Sequence, residues 1–256
     1  MVDLTHILGA LSGVLVGFTL GLVGGGGSIL AVPLMVYVVG VASTHVAIGT
    51  SALAVAANAL AGVRHHARRA NVNWRCGLLF AAAGVLGALG GSTLGKVLDG
   101  ERLLLLFAIL MLVVAGAMYR GRGDGGVEGA TCTRDNLPKV QRFGLATGAL
   151  SGFFGIGGGF LIVPALLAST KMPVFRAIGT SLIAVAAFGL TTAASYAWSG
   201  LIDWPLAGSF IAGGMAGAAL GAPAAQRLSA SKGTLNTLFA VLIALVAIYM
   251  IYRGLR

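Results

Sequence analysis

Sixty consecutive residues, 4 to 63, carry no Asp, Glu, Lys or Arg. No water-soluble domain tolerates so long an uncharged stretch, and the rest of the chain is similar: 57% of its 256 residues are hydrophobic, 9% are charged and the mean hydropathy is +0.95. An ordinary soluble domain is about 25% charged. The solvent is therefore a bilayer, in which backbone polar groups must be satisfied within helices or a closed barrel. Strict alternation of apolar and polar residues is absent, which argues against a barrel. Apolar runs at about 76–95, 103–119, 177–199, 205–225 and 233–252 approach the ~20 residues of a spanning helix. The first apolar stretch is too long for a cleavable signal and has no basic residues before it, so it is expected to stay in the mature protein.

Within that stretch "GLVGGGGSILAVP", residues 21–33, places four glycines in a row, and "GFFGIGGGFLIVP", 152–164, repeats the pattern 131 residues later. Further pairs follow: "AIGTS" at 47–51 and 177–181, "VNW" at 72–74 with "IDW" at 202–204, and "GVLGALGG" at 84–91 with "GMAGAALG" at 214–221. The chain thus reads as an internal duplication, with a first membrane repeat at 1–120, a polar connector at 121–142 and a second repeat at 143–256. The fold class is an all-α polytopic membrane protein of about eight spans, some broken at the glycines. The connector has the composition of a flexible linker.

Lys and Arg concentrate in cytoplasmic loops. If each glycine stretch lies in one unbroken span, the repeats are parallel and 11 of the 17 basic residues fall inside. If each is two short elements meeting at the glycines, the repeats are inverted and 13 fall inside. The inverted arrangement is favoured.

Broken helices are tolerated at membrane depth only against protein or a wet cavity, and a helix N-terminus there presents N–H groups and about half a positive charge to an anion. Gly24, Gly25, Gly26, Gly27 and Ser28 in one half, and Gly155, Gly157, Gly158 and Gly159 in the other, are candidates for such a site. The competing reading is close helix packing through small residues, which is retained for 84–91 and 214–221. Pro33 and Pro164 fit the first turns of the helices that follow, or kinks. Thr50, Ser51, Thr180 and Ser181 either present hydroxyls to a substrate or bond back to carbonyls one turn earlier. Ser51 and Ser181 also suit helix N-caps.

All seven acidic residues fall at termini, loops or segment ends. Cation and proton pumps generally carry an intramembrane carboxylate, so a metal or sodium substrate is disfavoured and a small oxyanion suits amides and hydroxyls. Asn58, near the end of the second apolar segment, reads as an interhelical hydrogen bond, a ligand or a mouth residue that gates the path. His65, His66, Lys171 and Arg176 read as charged rims, or as residues that gather anions at a mouth. Cys76 and Cys132 show neither disulfide nor metal spacing and are taken as bystanders. No HExxH, GxSxG or buried Asp pair is present, so no enzyme, cofactor or metal is expected. The net charge of +10 suits lipid headgroups rather than nucleic acid.

"GIGGGFLIVP" with its partner "GGGGSILAVP", the "GTS" of each half, and the "HHARRANVNW" and "GLIDW" loops resemble the sulfite exporter TauE/SafE permease family over nearly the whole chain outside the connector. The resemblance implies a bacterial or archaeal inner-membrane permease, often predicted with eight spans, that moves sulfite, sulfoacetate or related anions, usually outward. The partners implied are a small anion and the bilayer, with a homodimer left open. An anion channel or uniporter, or a non-transporting scaffold, is the alternative. Ser28 departs from the glycine of the second half, so the half-sites need not be equivalent.

Overall fold

Several helices in this chain start where a short polar residue caps an apolar run. In the computed structural model, which describes residues 2–120, 127, 129–130, 132–155, 157–228 and 234–254, the order is α1 (Val2–Val23), a 3-10 segment (Gly24–Leu30), α2 (Ala31–Tyr37), α3 (Thr44–Ala67), α4 (Trp74–Val97) and α5 (Gly100–Arg120). After the connector come α6 (Leu137–Phe154), α7 (Gly159–Thr170), α8 (Val174–Trp198), α9 (Trp204–Leu228) and α10 (Thr234–Gly254). Asn73 caps α4 by accepting from the Cys76 N–H at 3.1 Å, and Asp203 caps α9 by accepting from Leu206 at 3.0 Å. Asp99 Oδ2 does the same for α5, accepting from Glu101 and Arg102. Each cap satisfies a donor that a helix start leaves orphaned. Among the described residues there is no strand, and five helices are long and apolar enough to cross a membrane.

The largest interfaces join elements on opposite sides of the connector: α1 lies along α9, and α4 along α6. Both run parallel. Gly9, Gly13 and Gly17 of α1 meet Leu206, Phe210 and Gly214 of α9 in turn, and Gly84, Gly91 and Gly95 of α4 meet Gly148, Ala149 and Phe153 of α6. At Gly13, Gly17, Gly91 and Gly95 a backbone carbonyl of the partner helix occupies the place a Cβ would take, as the Gly84 carbonyl does for Gly148. The runs at 84–91 and 214–221 are therefore packing ridges, as expected: lipid gives helices no hydrophobic reason to associate, and close backbone approach supplies the dispersion contact instead.

The centre is the crossing of α3 with α8. These two run antiparallel, since Gly62 meets Leu182 while Ala56 meets Gly189. α3 also runs parallel to α9, with Gly49 near Ile202 and Asn58 near Gly214, and α4 runs parallel to α8, with Gly77 near Thr180 and Gly84 near Phe188. α5 and α10 pack together as a separate pair.

Two expectations are corrected. Cys76 and Cys132 are joined in a disulfide, with Cα atoms 5.4 Å apart across 56 residues of sequence; pairing at that separation leaves no spacing signature. It holds the connector on the first turn of α4, and a bond from the Val127 N–H to the Lys171 carbonyl at 2.8 Å holds it on the end of α7. The described part of the connector is thus anchored rather than a free linker. Of the two places left open for the prolines, Pro33 takes the first turn, as the third residue of α2, and Pro164 the interior of α7.

Candidate functional site

Both glycine motifs interrupt the helix and fold the chain back. α6 ends on Gly155 at φ +68°, and Gly157 and Gly158 follow at φ +65° and +64° before α7 begins. A residue with a Cβ held in this left-handed region costs about 1–2 kcal/mol, which is why glycines are placed there. The return brings Gly158 against Ser151, seven residues earlier. In the first half Gly24, Gly25, Gly26, Gly27 and Ser28 wind into the 3-10 segment, and Gly27 packs on Thr19 and Leu20. The Thr19 hydroxyl reaches the Gly27 carbonyl at 3.4 Å and the Val16 carbonyl at 2.9 Å.

The two returns meet. The 3-10 segment packs on α7, and the Cβ that Gly157 lacks would stand 2.9 Å from Val55 Cγ1 on α3 and 3.4 Å from Val185 Cγ1 on α8. Val55 and Val185 are separated by the same 130 residues as the two "AIGTS" motifs. Gly27, Ser28, Gly155, Gly157, Gly158 and Gly159 are all buried, so these residues of the returns are closed off from solvent. Two clefts, of about 840 and 480 Å³, lie elsewhere: one between α5 and α10 lined by Leu112, Val113, Val241 and Ala244, the other beside Leu86, Leu94 and Phe153. Both are lined by apolar residues. Neither is the wet chamber that the interrupted helices led one to expect between them.

The "GTS" hydroxyls are engaged with the protein. Thr50 Oγ1 accepts from the Asp203 N–H at 3.0 Å, and Thr180 Oγ1 accepts from the Asn73 N–H at 2.9 Å. Each threonine therefore pins the loop residue that caps a helix of the opposite half. Gly49 and Gly179 make room for this, since a Cβ would strike the Leu201 or Asn71 carbonyl. Ser51 and Ser181 donate back to Ile48 and Ile178 at 3.0 and 2.7 Å. They are not N-caps: α3 and α8 begin at Thr44 and Val174, on Ser43 and Pro173. Replacing Thr50 or Thr180 by valine leaves an N–H unpaired at about 1–2 kcal/mol each. The expected result is a melting temperature about 2–8 °C lower per site, additive in the double variant and restored by serine, as thermal denaturation in detergent will show.

A second group of polar atoms is buried without a hydrogen-bond partner among the described residues. It includes Ser151 Oγ, Thr192 Oγ1 and both side-chain atoms of Asn58. Asn58 is 2% exposed and fills the space beside Gly214. It thus belongs to the interior of the α3–α9 interface, not to a mouth, and the interhelical hydrogen bond expected of it is not made. Phe188 takes the matching place against Gly84. His65, Lys171 and Arg176 are exposed, and the His66 side chain lies 3.3 Å from the place of a Cβ on Gly179. The four are gathered at one end of the α3–α8 crossing. Sequence reasoning passed over Ser151; the signal available was a serine where the first half, by the 131-residue offset, has Leu20. Among the described residues no cluster of His, Cys, Asp and Glu could hold a metal ion.

A family model, sulfite exporter TauE/SafE, matches residues 9–250. The chain belongs to this family. A "probable membrane transporter protein" of Xylella fastidiosa strain 9a5c is 53% identical over 245 residues, covering 95% of this chain and 94% of that protein. One of Methanocaldococcus jannaschii is 31% identical over 177 residues, 66% of this chain and 65% of its own length. One of Bacillus subtilis, YunE, is 24% identical over 95% of this chain and 96% of its own. No solved structure gives a significant match. The TauE/SafE chain is therefore a multi-pass membrane transporter, from a family of transporters rather than enzymes.

Proposed function

We propose that this TauE/SafE chain is a secondary transporter that exports a small anion, sulfite or an organosulfonate such as sulfoacetate, across a bacterial or archaeal inner membrane by alternating access between two inverted repeats. The observation that carries the reading is the meeting of two folded-back glycine turns at the antiparallel crossing of α3 and α8. A pseudo-two-fold axis in the membrane plane relates elements that run in opposite directions, and transporters of this type place the site at the repeat interface near mid-membrane. The paired Thr50–Asp203 and Thr180–Asn73 bonds fit the same axis. The sequence count for inverted repeats assigns 13 of the 17 basic residues to the end that holds the 64–75 loop and the start of α8, which supports a cytoplasmic position for that end.

The chemistry fits an anion. Among the described residues Asp99, Glu101, Asp135 and Asp203 lie at helix ends or in the connector and none is buried, so no described carboxylate is enclosed within the returns. Backbone N–H groups of the glycine turns, with the helix start at α7, supply donors without the desolvation cost of a buried cation. Gly24–Gly27 and Ser28 on one side, and Gly155, Gly157, Gly158 and Gly159 on the other, line the substrate's place. The "GTS" residues Thr50, Ser51, Thr180 and Ser181 support the walls, and His65, His66 and Arg176 gather anions at the cytoplasmic end.

Flux of radiolabelled sulfite and sulfoacetate into proteoliposomes tests the proposal. Saturable uptake with counterflow is the expected result. Linear, non-saturating flux points instead to a channel, and no flux of either anion by monodisperse protein refutes transport of this class.

A further inference from the structure

We propose that the anion is held at the second return alone, between the hydroxyl of Ser151 and the first-turn N–H groups of α7; this rests on the transport reading above. Ser151 is fully buried, and its hydroxyl finds no partner among the described residues. Ser12, Thr192 and Tyr196 share this state, whereas the hydroxyls of Ser92, Thr147, Ser169, Thr170 and Ser181 all donate to a carbonyl three or four residues earlier; of the unpartnered four only Ser151 lies against a glycine turn. A hydroxyl buried without a bond is costly, and the position of this one explains what would repay it. Its Oγ stands 2.8 Å from the place where Gly158 would carry a Cβ, and Gly158 is the N-cap of α7.

That cap brings no side-chain acceptor to the helix start. In the first turn of this twelve-residue helix the Leu161 N–H bonds to the Gly158 carbonyl at 2.9 Å, which leaves the N–H groups of Gly159 and Phe160, ahead of any intrahelical acceptor, at a helix start beside an unused hydroxyl. The two together match a small oxyanion with two acceptor oxygens, one on the amides and one on the hydroxyl.

The first half offers no equivalent. Leu20 takes the place of Ser151, a 3-10 segment takes the place of the helix start, and Ser28 takes the place of Gly159. The site is thus one-sided, taking one anion per cycle, with the first return acting as its wall.

The test measures radiolabelled sulfite flux in proteoliposomes together with melting temperature in detergent. Ser151→Ala is expected to raise KM about 10- to 100-fold, the worth of one hydrogen bond to a charged group. Its ligand-free melting temperature stays level or rises, because no bond is lost. Ser151→Cys, similar in size with a weak donor, gives an intermediate KM, and Ser92→Ala leaves KM unchanged. An unaltered KM in Ser151→Ala overturns the proposal, as does a lowered melting temperature or failure to fold, since the hydroxyl would then serve structure. Wild-type protein that moves no sulfite removes the transport reading and this inference with it; wild-type flux with an indifferent Ser151→Ala removes this inference only.

Discussion

Leucine in place of Gly157 is expected to bring anion flux down to that of empty liposomes while the chain still reaches the membrane. Gly157 sits at φ +65°, where any L-residue is strained by about 1–2 kcal/mol. The first side-chain carbon would already stand 2.9 Å from Val55 Cγ1, and three further carbons must enter the crossing of α3 and α8. Overpacking of this kind costs about 1–3 kcal/mol. The sum is a few kcal/mol, which a helix bundle survives by shifting the turn. A turn displaced by an ångström no longer aims its N–H groups at the substrate, and transport depends on that geometry. Gly26→Leu, in the other return, is expected to do the same. Gly90→Leu is the control: Gly90 is exposed, and a Cβ there would have no neighbour within 4 Å. Wild-type flux in Gly157→Leu would show that the return is mere packing.

Gly148→Leu is expected to have the largest effect on folding. Its missing Cβ lies against the Gly84 carbonyl, in a ridge where Gly84, Gly91 and Gly95 of α4 bring the backbones of α4 and α6 together. A leucine there forces the two helices apart along the whole interface, and dispersion falls off steeply with a gap of even half an ångström. No hydrophobic drive within lipid compensates. Size-exclusion chromatography in detergent should show the monodisperse peak replaced by aggregate, with Gly17→Leu, facing Gly214 in the α1–α9 pair, behaving alike. A sharp peak and an unchanged melting temperature would mean that these ridges are not what holds the bundle.

The bilayer setting was legible from the uncharged stretch at 4–63, and the breaks at the glycines from their recurrence with a proline at the same offset. The "GTS" and "VNW"/"IDW" motifs were visible as pairs, but not their exchange: Thr50 bonds to Asp203 and Thr180 to Asn73, partners 153 and 107 residues apart. Periodicity gives no help with such contacts, because a helix apolar on all sides shows no face that must meet a particular neighbour. For the same reason Asn58 read as a segment-end residue, and the Cys76–Cys132 bond left no trace in spacing. Ser151 was hidden by its ordinariness, since a lone serine in a membrane helix usually bonds to its own backbone.

The long pairings α1 with α9 and α4 with α6 bear on ancestry. A protein with only one copy of this unit would leave each glycine ridge facing nothing, because its complement is supplied by the other copy. On the inverted-repeat reading proposed above, two such single-copy chains would have to lie upside down relative to one another and clasp; joining them in one polypeptide would fix the ratio of the two orientations at one to one and free each half to change separately, with leucine at residue 20 and serine at residue 151.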